Sequence, residues 1–557
     1  MIYHTHNAKI ARQYLLSKMS FRFPALIFLL TAGAFAQTSS FPRPSYFRET
    51  FTPVSTHVEL RGPVRLRDFL AGGRIELTLK SYLELVMANN TDIQIELLTI
   101  ETPKNAIERA MGIWDPLATA GFSSTRSSTP STGALQGANT VVTLSQPANF
   151  GYQQTLPSGL EFTVGYAASK ETTNSSYQTL NPALSSNLSF GFTQPLLRGR
   201  GAYVNRINLM MARSRYRISE YALQATLLQM VNSAESAYWD TIQARENLRV
   251  QQNAKENADA SLKLAQESLR LGAISPLDIY NPEQQVANAE LSVLQARYAL
   301  EQAENALRKQ AGLDLDPDLR RVPMVLIEPV EPSASSLQVD TEAEVEKALS
   351  IRPELKSAKQ SLDVDDLGIY QAKNALLPNL ALTGGYTTQG VGGDTGTASS
   401  ATAVIPGGLS DALTQMFGFG YPVYSFGLTL TLPIRSHSAS ADMADAMVQK
   451  RRDALTVRTI QQQVRLGILN AVTNLNSARE SLKLALASKE YAQKNLDAEN
   501  QKYQLGAEPM QFVLQAQTQL AQAESAVVQN QVGLRRNLLN LLTQTGELLD
   551  ARSIVIR

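Results

Sequence analysis

Long stretches of the chain repeat apolar positions at helical spacing, and shorter stretches alternate them at strand spacing. From about 202 to 310 the helical pattern is almost unbroken, interrupted only around Gly272–Pro276. It resumes from about 440 to 545, interrupted around Gly506–Pro509. After the first interruption Val286, Ala289, Val293, Ala296, Leu300, Ala303 and Leu307 step by three and four in alternation. That is a heptad seam, which keeps one apolar stripe against a partner helix. An offset of 234 gives Leu520, Ala523, Val527, Asn530, Leu534, Asn537 and Leu541, so the seam persists with two polar positions. The segment from about 202 to 270 predicts a helix on the order of 100 Å long at ~1.5 Å per residue.

The alternating stretches lie between the helical ones. NLSFGFTQPLL puts Leu188, Phe190 and Phe192 on one face, with Ser189, Gly191 and Thr193 on the other. YSFGLTLTLPI does the same with Leu428, Leu430 and Leu432 against Gly427, Thr429 and Thr431. A lipid-facing barrel strand needs this apolar-out, small-polar-in alternation over about ten residues. A soluble antiparallel sheet carries it too, so the alternation leaves both readings open. Four such strands cannot close a barrel alone, because lipid forbids open edges; oligomerisation would close it. FGYQQTLPSGLEFTVGYAAS holds a turn, LPSG, that predicts a hairpin. Its place is open: it either lengthens strands or covers the outside of a barrel. Residues 388–412 read as a Gly/Ser/Thr-rich loop that includes GVGG at 390–393.

The order of elements occurs twice. LTLKSYLELVMANN opens a helical stretch over 77–116, and ALSIRPELKSA lies in another over 345–378; each ends at a proline, Pro116 and Pro378. Pro116 matches Pro378 at an offset of 262, Pro195 matches Pro433 at 238, and Gly272 matches Gly506 at 234. Most of that drift comes from extra β material in the first half. One duplicated unit (helix, β segment, long helix, turn, long helix) explains this better than two unrelated domains. The expected organisation is a signal peptide at 1–36 and an extended segment at 37–74. The first repeat follows at 75–312, with strands about 117–197 and a helical hairpin about 202–310. A proline-rich linker spans 313–340. The second repeat covers 341–546, with strands about 379–434 and a hairpin about 440–545, and a tail covers 547–557.

Composition sharpens this picture. Charged residues make up 18% of the 557, below the roughly 25% of an average soluble domain. Cysteine is absent, which excludes disulfides, thiolate metal sites and a lipid-modified N-terminal Cys. From Met19, MSFRFPALIFLLTAGAFAQ reads as a secretory signal: Arg22, an apolar run from Phe23 to Leu30, and an A-x-A site at 34–36. Met1 and Met19 are both candidate starts. Removing 1–36 takes away Lys9, Arg12, Lys18 and Arg22, which moves the formal charge from +1 to −3. No basic patch of the kind nucleic acids require remains. The four histidines, His4, His6, His57 and His437, form no pair with metal-ligand spacing, and no catalytic arrangement or cofactor motif is evident.

The ordered set resembles the outer membrane efflux protein family, the TolC-like channel-tunnels. The residues that carry the resemblance are the LTLKSYLELVMANN start, ALSIRPELKSA, Pro116 and Pro378, and Gly272–Ser275–Asp278 followed by QQVANAE. The resemblance implies a mainly α protein with a small β-barrel portion. It implies a homotrimer in which each chain gives four main strands to a 12-stranded barrel in the outer membrane, and four long helices to a periplasmic α-helical barrel. It implies a non-enzymatic exit duct that serves a periplasmic adaptor and an inner-membrane transporter. The turns Leu271, Gly272, Ala273 and Ser275, and Leu505, Gly506 and Ala507, would be adaptor-facing hairpin tips, the glycines serving the turn itself equally well. Asp278, Glu508, Phe512 and Gln515 are pore or gate candidates. Family members carry aspartates near the second tip; Phe512 and Gln515 stand there instead, so Phe512 either forms an apolar constriction or packs between helices. Two other readings, a periplasmic adaptor and a secreted structural coiled coil, are weakened by the two hairpins per chain and by the sheet.

Overall fold

The computed structural model describes residues 69–554 apart from 72–73, 134–135, 177, 319, 330–338 and 396–406. The expected signal peptide and most of the extended segment lie outside the described residues.

The described chain opens with β1 (Leu70–Ala71) and β2 (Arg74–Leu77). Thr78 then starts α1 (Leu79–Asn89) with a capping box: the Thr78 hydroxyl accepts from the Ser81 amide, and the Ser81 hydroxyl accepts from the Thr78 amide. The expected single helix over 77–116 is broken twice. Asn90 leaves helical geometry and caps α2 (Thr91–Thr99), accepting from the amides of Asp92 and Ile93. The chain restarts as α3 (Glu101–Met111), where Pro103 can donate no bond to the preceding turn. A sheet of six positions then begins. Strand β3 (Leu117–Phe122) and strand β4 (Thr125–Pro130) pair end to end along β5 (Thr140–Thr155), followed by β6 (Glu161–Thr173) and β7 (Leu180–Pro195). Helix α4 (Ile207–Arg270) and helix α5 (Tyr280–Gln310) form the first long hairpin.

Within the linker lies β8 (Met324–Leu326), parallel to β2. The second repeat runs α6 (Thr341–Ile351), α7 (Pro353–Ala375), β9 (Asn379–Thr395), α8 (Leu409–Phe417), β10 (Pro422–Thr431), α9 (His437–Gln504) and α10 (Met510–Thr545). The expected loop over 388–412 is instead strand as far as Thr395 and, from Leu409, the start of α8. Alternation persists beneath the small residues: Thr388 and Gly390 face α8, where a side chain at 390 would overlap the Ala412 carbonyl, while Gln389 and Val391 face away.

The main core sits about midway along α4. Leu83, Val86 and Ile93 pack with Leu227, Val231, Tyr238 and Ile242 of α4, Leu307 of α5 and Val532 of α10. The Tyr238 hydroxyl donates to the Leu77 carbonyl, tying β2 to α4. A second cluster sets Val345 and Ala348 of α6 against Ile468, Val472 and Leu475 of α9, in the same relation as α1 to α4. The heptad seam of α5 is buried or half-buried along its length, and α5 packs along α4 as α10 packs along α9. Towards the sheet the helices neighbour one another in the order α3, α4, α7, α9; towards the tips the order is α5, α4, α10, α9.

Candidate functional site: paired tips and a two-faced sheet

Both long hairpins turn the same way. The amide of Ala273 donates to the Ser268 carbonyl and that of Gly272 to the Leu269 carbonyl; Ala507 and Gly506 repeat this on Lys502 and Tyr503. These are paired Schellman motifs. Gly272 has φ +74° and Gly506 φ +70°, the left-handed region that glycine alone enters freely. Leu271 and Leu505 are 72% and 83% exposed. Two large apolar side chains in water at matching positions mark a surface suited to a partner.

The turns differ beyond the glycine. In the first, Asp278 accepts from the Ser275 amide at 3.1 Å, and the Ser275 hydroxyl accepts from the Leu277 amide at 3.3 Å. These bonds hold a turn before α5. In the second, Pro509 starts α10 directly. Glu508 accepts from Lys502 at 3.2 Å, and Lys502 also reaches Glu499 at 2.8 Å. The bond to Glu499 holds the Lys502 ammonium above its ordinary pKa, and the bond from Lys502 holds the Glu499 carboxyl below its own. Glu508 is a sequence candidate; Lys502 and Glu499 are not, although their i, i+3 spacing before the turn signals the pair.

The structure brings both turns together. Asp278 and Ile274 share an open cleft of about 360 Å³ with Gly506, Ala507, Glu508 and Pro509. Phe512 and Gln515 are not in it. They lie on the outer face of α10, opposite Val513, Ala516 and Leu520, which pack within the chain. Phe512 is 46% exposed, so it does not fill the core of its own chain.

At the other end, β10, β9, β7, β6, β5 and β3 neighbour one another in that order, every pair antiparallel. Cross-strand partners share a face, so the pairing defines two surfaces. One carries Phe150, Tyr152, Phe162, Tyr166, Phe190, Phe192, Leu382, Tyr424, Phe426 and Leu428. The other carries Asn149, Gly151, Thr163, Gly165, Asn187, Ser189, Gly191, Thr383, Gly385, Ser425 and Gly427. Helix α8 packs on the apolar side: Ser186 and Thr388 donate to its Ala412 and Met416 carbonyls. Tyr386 stacks with Tyr424 and Phe419 at centroid distances of 5.3 and 6.0 Å. The LPSG turn is the β5–β6 hairpin, and it lies in line with the sheet, not over it.

Two edges stay open. Among the described residues β3 and β4 have β5 as their strand neighbour in the sheet and β10 has β9, and near the tips α5 and α9 flank the helical array. Leu291 and Tyr298 of α5 and Leu484 and Tyr491 of α9 are exposed there. No helix among the described residues is long and apolar enough to cross a membrane.

A two-faced antiparallel sheet joined to paired helical hairpins defines the architecture, and comparison with known proteins gives its family. The family model for outer membrane efflux proteins matches residues 154–313 and 345–547. The chain belongs to the outer membrane efflux protein family. The toluene efflux pump outer membrane protein TtgC of Pseudomonas putida is 23% identical over 337 residues, 59% of this chain and 63% of that protein. The chain thus spans a little under two thirds of that relative's length. Solved structures share the fold: CusC at a TM-score of 0.60 and 14% identity, covering 85% of this chain and 92% of that one. The Campylobacter jejuni CmeC outer membrane channel matches at 0.60 and 16%, covering 86% and 87%.

Proposed function

We propose that three copies of this chain form an exit duct in the outer membrane of a Gram-negative-type bacterium, conducting substrate passively from a pump and its periplasmic adaptor. One observation carries the reading. Sheet and helical array are both open on two sides, the sheet is apolar on one face and polar on the other, and copies placed side by side close both layers at once. Backbone groups in lipid must be paired, so a sheet exposed there has to close into a barrel. The apolar face then meets lipid, with Tyr386, Tyr424 and Phe419 as part of an aromatic girdle. The Ser, Thr, Asn and Gly face lines the channel.

The tips take the adaptor. Leu271 and Leu505 are the apolar anchors, with Gly272, Ala273, Ser275, Gly506 and Ala507 holding the backbone that presents them. Phe512, repeated by threefold symmetry, forms an apolar constriction at the entrance that gates by dewetting. Gln515 lies one turn further along the same face, while Asp278 and Glu508 line the cleft between the tips.

The test is single-channel conductance in planar bilayers, with the mass of the purified protein in detergent. A trimer that conducts supports the duct. Phe512→Ala is expected to raise the conductance or open probability, and equal conductance with and without it would remove Phe512 as the gate. A monomer that never enters bilayers would overturn the duct.

A further inference from the structure

The additional hairpin of the first repeat matters for the size of the duct. Four strands connect directly to helices: β3 follows α3, β7 precedes α4, β9 follows α7 and β10 precedes α9. Strands β5 and β6 connect only to other strands, and they sit between β3 and β7: β6 pairs with β7, and β5 pairs with β3 and, beyond it, β4. Resting on the duct reading above, we infer that β5 and β6 are wall strands, so that three copies close a barrel of eighteen strand positions, six from each chain.

Three observations support this. The first is register. Tyr152, Val164, Phe190, Tyr386 and Tyr424 form one unbroken cross-strand row on the apolar face, and Gln154, Phe162, Phe192, Gly384 and Phe426 form the next. A hairpin hanging outside the barrel would have no reason to place its apolar residues in the rows of the other strands.

The second is the polar face. Opposed pairs there set glycine against a hydroxyl: Gly151 against Thr119, Gly165 against Ser189, Gly191 against Thr163, and Gly385 against Ser425. The added hairpin follows the same small-residue rule as β9 and β10. Its turn also reaches the level of the strand-to-helix junctions, because Gly159 lies beside Pro195, Gly199 and Asn205.

The third is arc length. Four helices per chain meet the sheet end, and at interaxial distances of about 9.5 Å they span about 38 Å of circumference. Strands about 4.8 Å apart, tilted about 40°, each occupy about 6.3 Å. Six then span about 38 Å, equal to the helices beneath, whereas four span about 25 Å. Closed threefold, this gives a backbone diameter of about 36 Å against about 24 Å for four strands per chain. The wall would then be as wide as the ring of helices beneath it.

Paired spin labels decide it. The chain has no cysteine, so Asn149→Cys and Asn187→Cys each place one label per copy. Both side chains are exposed and lie on the same polar-face row, linked through Ala167. In the trimer, pulsed dipolar spectroscopy is expected to give nearly equal inter-label spacings for the two variants, about 31 Å before the labels' inward reach, which is √3 times the ring radius. Excising Thr140–Thr173 is expected to shorten the Asn187 spacing by about a third. A trimer with Asn187 labels near 21 Å, or with Asn149 labels clearly further apart than Asn187 labels, overturns the wider wall and leaves the duct standing. Absence of any inter-copy distance in a monomeric preparation overturns both.

Discussion

Arg552→Met should release the C-terminal segment from the rod, and the structure sets the magnitude. Glu235 lies on α4 at 1% exposure. Its carboxylate accepts from Arg552 Nε at 2.8 Å and Nη2 at 2.6 Å, and from the Trp239 indole at 3.3 Å. Removing Arg552 leaves the buried carboxylate with the Trp239 indole as its hydrogen-bond donor and Arg535, which lies over the Trp239 ring, as the nearby cation. Breaking such a pair costs about 3–5 kcal/mol. Glu235→Gln removes the charge instead and strands the half-exposed Arg552, which water reaches, so about 1–2 kcal/mol is expected. The double variant leaves no unpaired buried carboxylate and should also cost about 1–2 kcal/mol, giving a coupling of about 3–5 kcal/mol. The assay is amide exchange at Ser553 and Ile554, which donate to Asp550 and Leu549. In Arg552→Met their exchange should rise by about a hundredfold or more, and in the double variant by roughly five- to thirtyfold. A change of less than threefold in Arg552→Met would refute the reasoning, since Glu235 would then be hydrated in the folded protein.

Three further outcomes are expected. Gly272→Ala and Gly506→Ala meet no neighbour, so each should cost only the left-handed backbone strain, about 1 kcal/mol; exchange at Ala273 or Ala507 would rise about fivefold, and D-alanine would leave it unchanged. Gly390→Ala has no such room and should detach α8 from the sheet, read as new proteolysis within 407–421 while the helical content holds. Burial, helped by Asp453 and Asp366 and opposed by Lys450, pushes the Asp365 carboxyl up to about 6. The folded state then keeps a proton that the unfolded chain has lost, so stability should fall as pH rises from about 4 to about 6. Asp365→Asn should flatten that slope in thermal unfolding followed by circular dichroism.

The long helices were legible because a heptad seam repeats over many turns and one error cannot hide it. The tips were legible because Leu-Gly-Ala recurs at a fixed offset and the glycine has a backbone reason. Residues 388–412 were misread as loop because composition masked period: Thr388, Gly390 and Gly392 are small where β9 meets α8 and β7, so the alternation carries no hydrophobic signal. The break at Asn90 was hidden for the opposite reason, since the apolar residues on either side continue a helical stripe across an extended residue. The place of β5 and β6 was not legible at all. Local sequence specifies the turn, but only pairing with β7 specifies whether the hairpin joins the wall.

The two layers share more than a boundary. Order across the chain is β3 to β10 in the sheet and α5 to α9 near the tips; β3 follows α3 and β10 leads into α9, so each side of the chain carries one strand edge and one helical edge. A neighbour that pairs with β10 therefore brings its own first-repeat helices against Leu484 and Tyr491 of α9. Phe426 at 80% and Leu484 at 69% exposure are surfaces that an isolated chain could not keep in water. In the proposed ring, one contact would satisfy both the open strand edges, which lipid does not tolerate, and the apolar helical edges, which water does not. Assembly would then be part of folding, and apparent stability is expected to depend on chain concentration as it does for obligate oligomers.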